Sequence, residues 1–206
     1  MYSITNPTQA RSKKALERFL NVAAELLANN QFEETGISQV AQLAESSVGT
    51  FYRLLGDKDM LLYAVHDRFV EQNRLAIDSL VAELGSQDLS LEAQIEGLIQ
   101  GMIRLFDGSE GLLRALIRRS SADLQFRQRF HQLNAYIGQT FCHIALARRS
   151  DIGHPHPEQA ADLAAHMLLA GMNYFTMVGS LGVTPREVVP GELSRLICNY
   201  LEVTHV

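Results

Sequence analysis

Apolar residues recur with the period of an α-helix along almost the whole chain, and this periodicity constrains the fold more than any other feature. No stretch alternates apolar and polar residues as a half-buried β-strand would, and the five prolines lie near the ends of periodic segments. Four helices are predicted in the first part of the chain, at about 13–29, 37–44, 47–55 and 57–84. Five more are expected at about 90–107, 110–121, 123–149, 157–181 and 190–204. The chain is therefore expected to be all-α.

The ends of the short helices carry capping residues. Thr35 is the expected N-cap of the second helix, Ser46 or Ser47 that of the third, and Asp57 that of the long fourth helix. Gly56 is expected to end the third helix, because glycine readily adopts the conformation that follows a helix.

Length and composition favour a globular protein with a sizeable core, since 47% of the 206 residues are apolar and 20% are charged. Residues 1–10 are polar, and we expect a flexible arm rather than a signal peptide. The chain contains no apolar run of about 18 residues, so no membrane span is expected. Cys142 and Cys198 are expected to be buried thiols in a reducing cytoplasm.

The net charge of −5 does not by itself indicate a nucleic-acid-binding protein. Residues 1–60 contain six Lys or Arg and seven Asp or Glu. The placement of the charges, in contrast, favours DNA binding. Three cations lie within residues 11–14, and the stretch 46–56 contains Arg53 and no acid. A DNA-docking surface needs positive potential locally, not over the whole molecule.

The segment from Ser46 to Arg53 carries the pattern of a recognition helix. Two short helices joined by a tight turn form a helix-turn-helix, which lays its second helix in the major groove of DNA. Gly49 costs ~1 kcal/mol within a helix compared with alanine, and close approach of a partner to the backbone is one reason to keep it. Thr50 and Tyr52 supply hydroxyls next to it, and Arg53 supplies a cation.

Residues 16–62 resemble the TetR (tetracycline-repressor) family of transcriptional regulators. The resemblance rests on Thr35-Gly36-Ile37-Ser38-Gln39-Val40-Ala41, then Ala44, Gly49-Thr50-Phe51-Tyr52 and Asp57-Lys58-Asp59-Met60-Leu61, which match the family signature in order and spacing. It implies that Thr50, Tyr52 and Ser38 contact DNA and that Lys58 binds a phosphate. Val48 and Arg53 occupy positions that vary with the operator in that family. The full expected set of DNA-binding residues is Ser38, Ser47, Val48, Gly49, Thr50, Tyr52, Arg53, Lys58, Lys13 and Lys14.

Two positions depart from the family pattern. The family has Gly-Val at the turn where this chain has Glu45-Ser46, so either the glutamate is strained or the turn is rebuilt. Leu55 stands where the family has phenylalanine. Val48 also has an alternative place in the core, because it lies three residues before Phe51.

The chain is expected to divide into residues 1–57, a three-helix DNA-binding domain, and residues 58–206, an effector-binding and dimerisation domain that begins with the long helix. The resemblance implies a cavity for a small, largely apolar effector in the second part, since methionine and aromatic side chains suit such a ligand. For each candidate residue, the alternative to effector binding is ordinary packing in the core of the protein. The candidates are Met102, Phe106, Arg118, Phe126, Phe130, His131, Asn134 and Met167.

The last two helices are expected to form a homodimer interface, with packing on their own chain as the alternative. One helix-turn-helix reads few base pairs, so a two-fold dimer on a palindromic operator is the usual solution. The expected interface residues are Met167, Gly171, Phe175, Val178, Leu193, Leu196, Ile197 and Tyr200.

Catalytic and metal-binding motifs are missing from the sequence. His154 and His156 lie in a loop without further ligands at a supporting spacing, and neither a metal nor another cofactor is expected. The leading hypothesis is a repressor that an effector releases from its operator. The alternatives are a ligand-binding or protein-interaction module with a weakened DNA-binding half and, least favoured, an all-α enzyme.

Overall fold

The structure is a computed structural model that describes residues 10–180 and 182–204, so most of the predicted arm lies outside the described residues. Over the described residues the chain is all-α, as predicted, and Ile152 and Val203 form an isolated β-bridge. The helices are α1 (Ala10–Ala28), α2 (Ile37–Leu43), α3 (Val48–Leu55), α4 (Lys58–Gly85), α5 (Leu91–Phe106), α6 (Glu110–Ala122), α7 (Leu124–Ala147), α8 (Pro157–Val178) and α9 (Val189–Leu201), with 3₁₀ turns at Arg149–Asp151 and Arg186–Val188.

Most of the predicted caps are present at the helix ends. The Thr50 N–H donates to Ser47 Oγ (3.1 Å), and the Met60 N–H donates to Asp57 Oδ1 (2.7 Å). Gly56 follows α3 with a φ of +81°, as its place after the helix predicts. Thr35 is not the N-cap of α2, because its hydroxyl donates to the Gln31 carbonyl instead and Gly36 takes the N-cap position.

The helices form two compact units. The first contains the chain up to Glu71 together with Ser109–Phe130, and the second contains Gln72–Gly108 and the chain from His131 onward. Helix α4 contributes residues to both units, and so does α7. No helix among the described residues is long and apolar enough to cross a membrane. The predicted functional boundary at residues 57 and 58 stays a prediction.

The core of the first unit forms around one face of α1, on which Phe19, Leu20 and Ala23 are buried. Phe19 and Phe51 are fully buried and meet edge to face, with ring centroids 5.4 Å apart. Helix α6 also packs on α1. A Cβ on Gly111 would lie 2.6 Å from the Ala28 carbonyl oxygen, so glycine is required for the two backbones to approach this closely.

The second unit is built on the packing of α9 against α5 and α8. Ile95, Ile99 and Met102 of α5 are fully buried, as are Ile197 and Leu201 of α9. The α8 face toward the core consists largely of alanines, which let neighbouring helices approach closely. Gly97 and Gly101 of α5 lie close to α4, because a Cβ at either position would come within 3 Å of a leucine side chain of α4.

Candidate nucleic-acid interface

The turn between α2 and α3 contains Glu45 at the position where the TetR-family pattern has glycine. Glu45 adopts a left-handed backbone conformation with φ of +48°. The Ser46 N–H donates to the Ala41 carbonyl (2.9 Å) and the Glu45 N–H to the Gln42 carbonyl (3.0 Å), a pattern known as the Schellman motif. The Arg18 Nε donates to the Ala44 carbonyl at 2.8 Å and so fixes the turn to α1. Of the two alternatives from the sequence, the strained glutamate is therefore the one found.

Helix α3 separates a buried face from an exposed one. Phe51, Leu54 and Leu55 are buried, so Leu55 serves as a core residue despite its departure from the family pattern. The outward side consists of residues expected to contact DNA, and Val48 (37% exposed) and Tyr52 (53% exposed) belong to it. Val48 is therefore not a core residue. Ser47, Gly49 and Arg53 are exposed as well, and Thr50 is half-buried.

Among the residues that the structure describes, no contact requires glycine at position 49. Gly49 is helical, and a Cβ there would meet no atom closer than Ser47 Oγ at 3.9 Å. Alanine would fit this position and favour the helix, so packing and backbone conformation leave the glycine unexplained. Close approach of a binding partner to the exposed backbone is a physical reason for glycine here.

Lys58 lies at the first turn of α4, where it is already engaged within the protein. Its ammonium donates to the Glu33 carbonyl oxygen (2.8 Å) and lies 4.8 Å from the centroid of the Phe32 ring. An ammonium has three N–H donors, so two are left for a phosphate. The Glu33 carboxylate in turn lies 3.7 Å from Arg119 of α6.

The other expected DNA contacts are on the surface of the first unit. Lys13 and Lys14 of α1 are exposed, and so is Ser38 at the start of α2. The Arg53 guanidinium donates to Ser12 Oγ at 3.4 Å, which brings the exposed face of α3 next to the basic start of α1. The contacts of these residues with DNA stay predictions.

The candidates for effector binding do not come together in one place. Met102, Phe126 and Phe130 are buried core residues, Phe106 is half-buried and Met167 is 53% exposed. Arg118 lines a depression of about 360 Å³ in the first unit. His131 and Asn134 line a groove of about 660 Å³ between α7 and α8.

Sequence reasoning missed the α8 side of this groove, which carries Asp162, His166 and Asn173. These residues follow one another at spacings of four and seven, a polar stripe on one helical face that the sequence already contains. Cys142 of α7 also lines the groove and is half-buried, not fully buried as expected. Among the described residues no group of three or more His, Cys, Asp or Glu could hold a metal ion.

The expected dimer residues are mostly available at the surface. Met167, Val178, Leu196 and Tyr200 are exposed by 37–59%, and Gly171, Phe175 and Leu193 are half-buried. Ile197 is only 1% exposed, because it lies on the face of α9 that packs within its own chain, and it is therefore not an interface residue. The exposed stripe also includes residues that the prediction left out: Leu163, Tyr174 and Met177.

The fold and the site together define an all-α protein with a helix-turn-helix whose second helix presents an exposed face. This is the fold of the TetR-family transcriptional regulators, so the predicted resemblance is confirmed at the level of the fold. No family model and no curated protein matches the sequence.

Three solved structures illustrate the likeness. A TetR-family transcriptional regulator from Mesorhizobium loti is 20% identical, with 94% of this chain and 96% of that chain covered and a TM-score of 0.69. Salmonella enterica GusR is 16% identical, with 98% and 100% covered and a TM-score of 0.70. FadR from Bacillus subtilis, in complex with stearoyl-CoA, is 15% identical, with 90% and 95% covered and a TM-score of 0.63.

Proposed function

We propose that this chain is a homodimeric transcriptional regulator that acts in the cytoplasm, binds a palindromic operator through α3 and is released from it by a small effector. The observation that carries the proposal is the exposed face of α3, where no contact with the described residues requires Gly49 and where Tyr52 and Arg53 are exposed. A helix of this kind reads base edges from the major groove with its N-terminal residues.

A homodimer is proposed because one α3 helix contacts too few base pairs for a specific site. The apolar stripe on α8 and α9 supports it, since Met167, Tyr174 and Leu196 are each more than half exposed in the single chain. Large apolar side chains grouped on one face are typical of protein interfaces.

The effector is proposed to be small and largely apolar and to bind within residues 58–206. The aliphatic and aromatic side chains of the second unit support this chemistry, and FadR, a protein of the same fold, is in complex with stearoyl-CoA. The proposed role as a repressor requires the effector to bind more tightly to the form that does not bind DNA.

Fluorescence anisotropy with labelled DNA tests the proposal. The probe is the duplex from upstream of the protein's own gene, and a scrambled duplex of equal length is the control. We expect the upstream duplex to bind at least ~10³-fold more tightly, with an affinity that falls steeply as salt rises. Equal affinity for the two duplexes would favour the alternative, a ligand-binding module whose DNA-binding half is weakened.

A further inference from the structure

The groove between α7 and α8 contains three side-chain amides that the protein does not use itself. Asn134 and Gln139 reach it from α7, and Asn173 reaches it from α8. Within the part of the chain that the structure describes, none of these amides forms a hydrogen bond. Each amide offers two N–H donors and one carbonyl acceptor, so the groove walls present paired donors and acceptors to any occupant.

Small side chains keep the groove open. A Cβ at Gly138 would approach only Leu169 Cδ1 (3.8 Å) and Ala165 Cβ (3.9 Å), so the floor is not closely filled. Ala135 and Ala170 complete this lining. The volume of about 660 Å³ lies within the range of roughly 300–1,000 Å³ that is common for small-molecule sites.

The charges of the lining select against ions. Neither Lys nor Arg is among the described residues that line the groove, so an anionic ligand would meet no permanent cation. The carboxylate of the lining, Asp162, is 72% exposed, so its attraction for a cationic ligand is weakened by solvent. His166 Nδ1 lies 2.8 Å from the main-chain carbonyl oxygen of Asp162, which can only accept, so Nδ1 is the donor in this contact. Burial and the nearby Asp162 raise the pKa of the Cys142 thiol, which is therefore protonated at neutral pH.

We propose that the α7–α8 groove binds an uncharged small molecule rich in hydroxyl or amide groups, of about the size of a nucleoside or a disaccharide. Such a ligand satisfies the three free amides, whereas an apolar ligand would bury them without partners at a cost of ~1–3 kcal/mol each. The groove is thus a second site, with a chemistry different from that of the largely apolar effector. His131 and Asn134, grouped with the effector candidates in the sequence, belong to this second site.

Cys142 is a native reporter for occupancy of the groove, so no additional cysteine has to be introduced for the test. It lines the groove and is accessible, whereas Cys198 is only 4% exposed and serves as an internal control. The rate of alkylation by N-ethylmaleimide is followed by mass spectrometry with adenosine, uridine or cellobiose present at millimolar concentration. Decanoate is the apolar, anionic comparison. We expect at least one of the three uncharged probes to slow alkylation of Cys142 and decanoate to have no effect.

An Asn134→Leu/Asn173→Leu variant should bind the protecting probe about tenfold more weakly or worse, because it loses two hydrogen-bonding amides. The matched control is Gln87→Leu/Gln132→Leu, which removes two exposed amides outside the groove and should leave protection unchanged. Thermal unfolding verifies that both variants fold. If the first does not, the exposed Gln139→Leu replaces it in the same comparison.

Three outcomes would overturn the proposal: no protection by any uncharged probe, protection by decanoate alone, or equal protection in the groove variant and its control. The result is independent of DNA binding. Anisotropy on the same preparation measures DNA binding separately. If no probe protects Cys142, DNA binding is still expected, and if the protein does not bind DNA, protection of Cys142 is still expected.

Discussion

Substitution of Gly49 is expected to affect the stability of the fold and the affinity for DNA in opposite directions. Because a Cβ at this position meets no atom closer than 3.9 Å, Gly49→Ala should leave the fold intact and raise stability by up to ~1 kcal/mol. The added methyl group faces outward, where we propose that DNA approaches the backbone. We therefore expect operator affinity to fall about tenfold, equivalent to ~1.4 kcal/mol.

Urea denaturation and anisotropy measure the two effects of Gly49→Ala in parallel. Gly191→Ala is the matched control, because Gly191 is also helical with open space around it and lies in α9. Unchanged DNA affinity in Gly49→Ala would show that the backbone of α3 does not approach DNA closely.

Lys58 is predicted to bind a phosphate, which carries no sequence information. Lys58→Ala should weaken binding to operator and scrambled DNA by the same factor and reduce the salt slope by about one unit. The substitution also removes the contacts of Lys58 with Glu33 and Phe32, so Lys58→Arg, which keeps the charge, is the control and should keep the slope. A slope that is unchanged in Lys58→Ala would contradict the assignment.

At the scale of the element, the turn after α2 contains strain that can be measured. A residue other than glycine in the left-handed region costs ~1–2 kcal/mol, and Glu45 has a φ of +48°. Glu45→Gly should stabilise the protein by about 1 kcal/mol, or roughly 2–4 °C in Tm for a chain of this size. Glu202→Gly should act in the same direction, since Glu202 ends α9 with a φ of +53°.

The control for both is Glu71→Gly, an exposed position within α4, which should cost ~1 kcal/mol because glycine is unfavourable inside a helix. Calorimetry at one fixed protein concentration compares the three variants. A fall in Tm for Glu45→Gly would mean that the glutamate side chain stabilises the turn through contacts that outweigh its backbone strain.

The sequence predicted the elements well where local physics determines them. Ser47, Gly56 and Asp57 were identified as helix ends because a cap depends on residues within one turn of the chain. Thr35 was misassigned because its hydroxyl has two kinds of local partner: it can donate to the carbonyl before it, as it does to Gln31, or accept from an N–H of the helix after it. The sequence left the place of Val48 open, because its exposure depends on which neighbours cover it.

The ligand-binding part was predicted less well because grooves form between helices that are distant in sequence. Asp162 and His166 of α8 face Asn134 and Cys142 of α7 across one groove, and nothing in the spacing along either helix states that the two helices are neighbours. Ile197 was assigned to the interface for a related reason. A helix with apolar residues on two faces does not show in its sequence which face packs on its own chain.

At the scale of the whole molecule, the exposed stripe on α8 and α9 predicts a stable homodimer. Leu196→Asp should weaken association by ~3–5 kcal/mol, because it places an unpaired charge in an apolar interface. Leu196 is 59% exposed in the single chain, so the substitution leaves the core of the subunit untouched. Leu75→Asp, at an equally exposed leucine of α4, is the control and should remain dimeric. Analytical ultracentrifugation measures both, and a monomeric wild type at micromolar concentration would refute the dimer.

Dimerisation and effector binding together predict a reciprocal coupling between effector and operator. Helix α4 has 28 residues, or about 40 Å at ~1.5 Å per residue, and contributes to both compact units without interruption. A small tilt of such a helix displaces its far end by several ångströms. In a dimer that displacement changes the spacing of the two α3 helices, which must match half-sites ~34–36 Å apart.

An effector that favours the mis-spaced state must weaken operator binding, and operator DNA must then weaken the effector by the same factor, typically ~5–150-fold. Isothermal titration of a ligand confirmed by thermal shift, with and without operator duplex, measures this factor directly. The monomeric Leu196→Asp variant is the control. It should bind the ligand but show no coupling, because a monomer has one α3 helix and therefore no distance between two α3 helices that the ligand could change. Equal ligand affinity with and without operator in the wild-type dimer would exclude the mechanism even if the protein binds both partners.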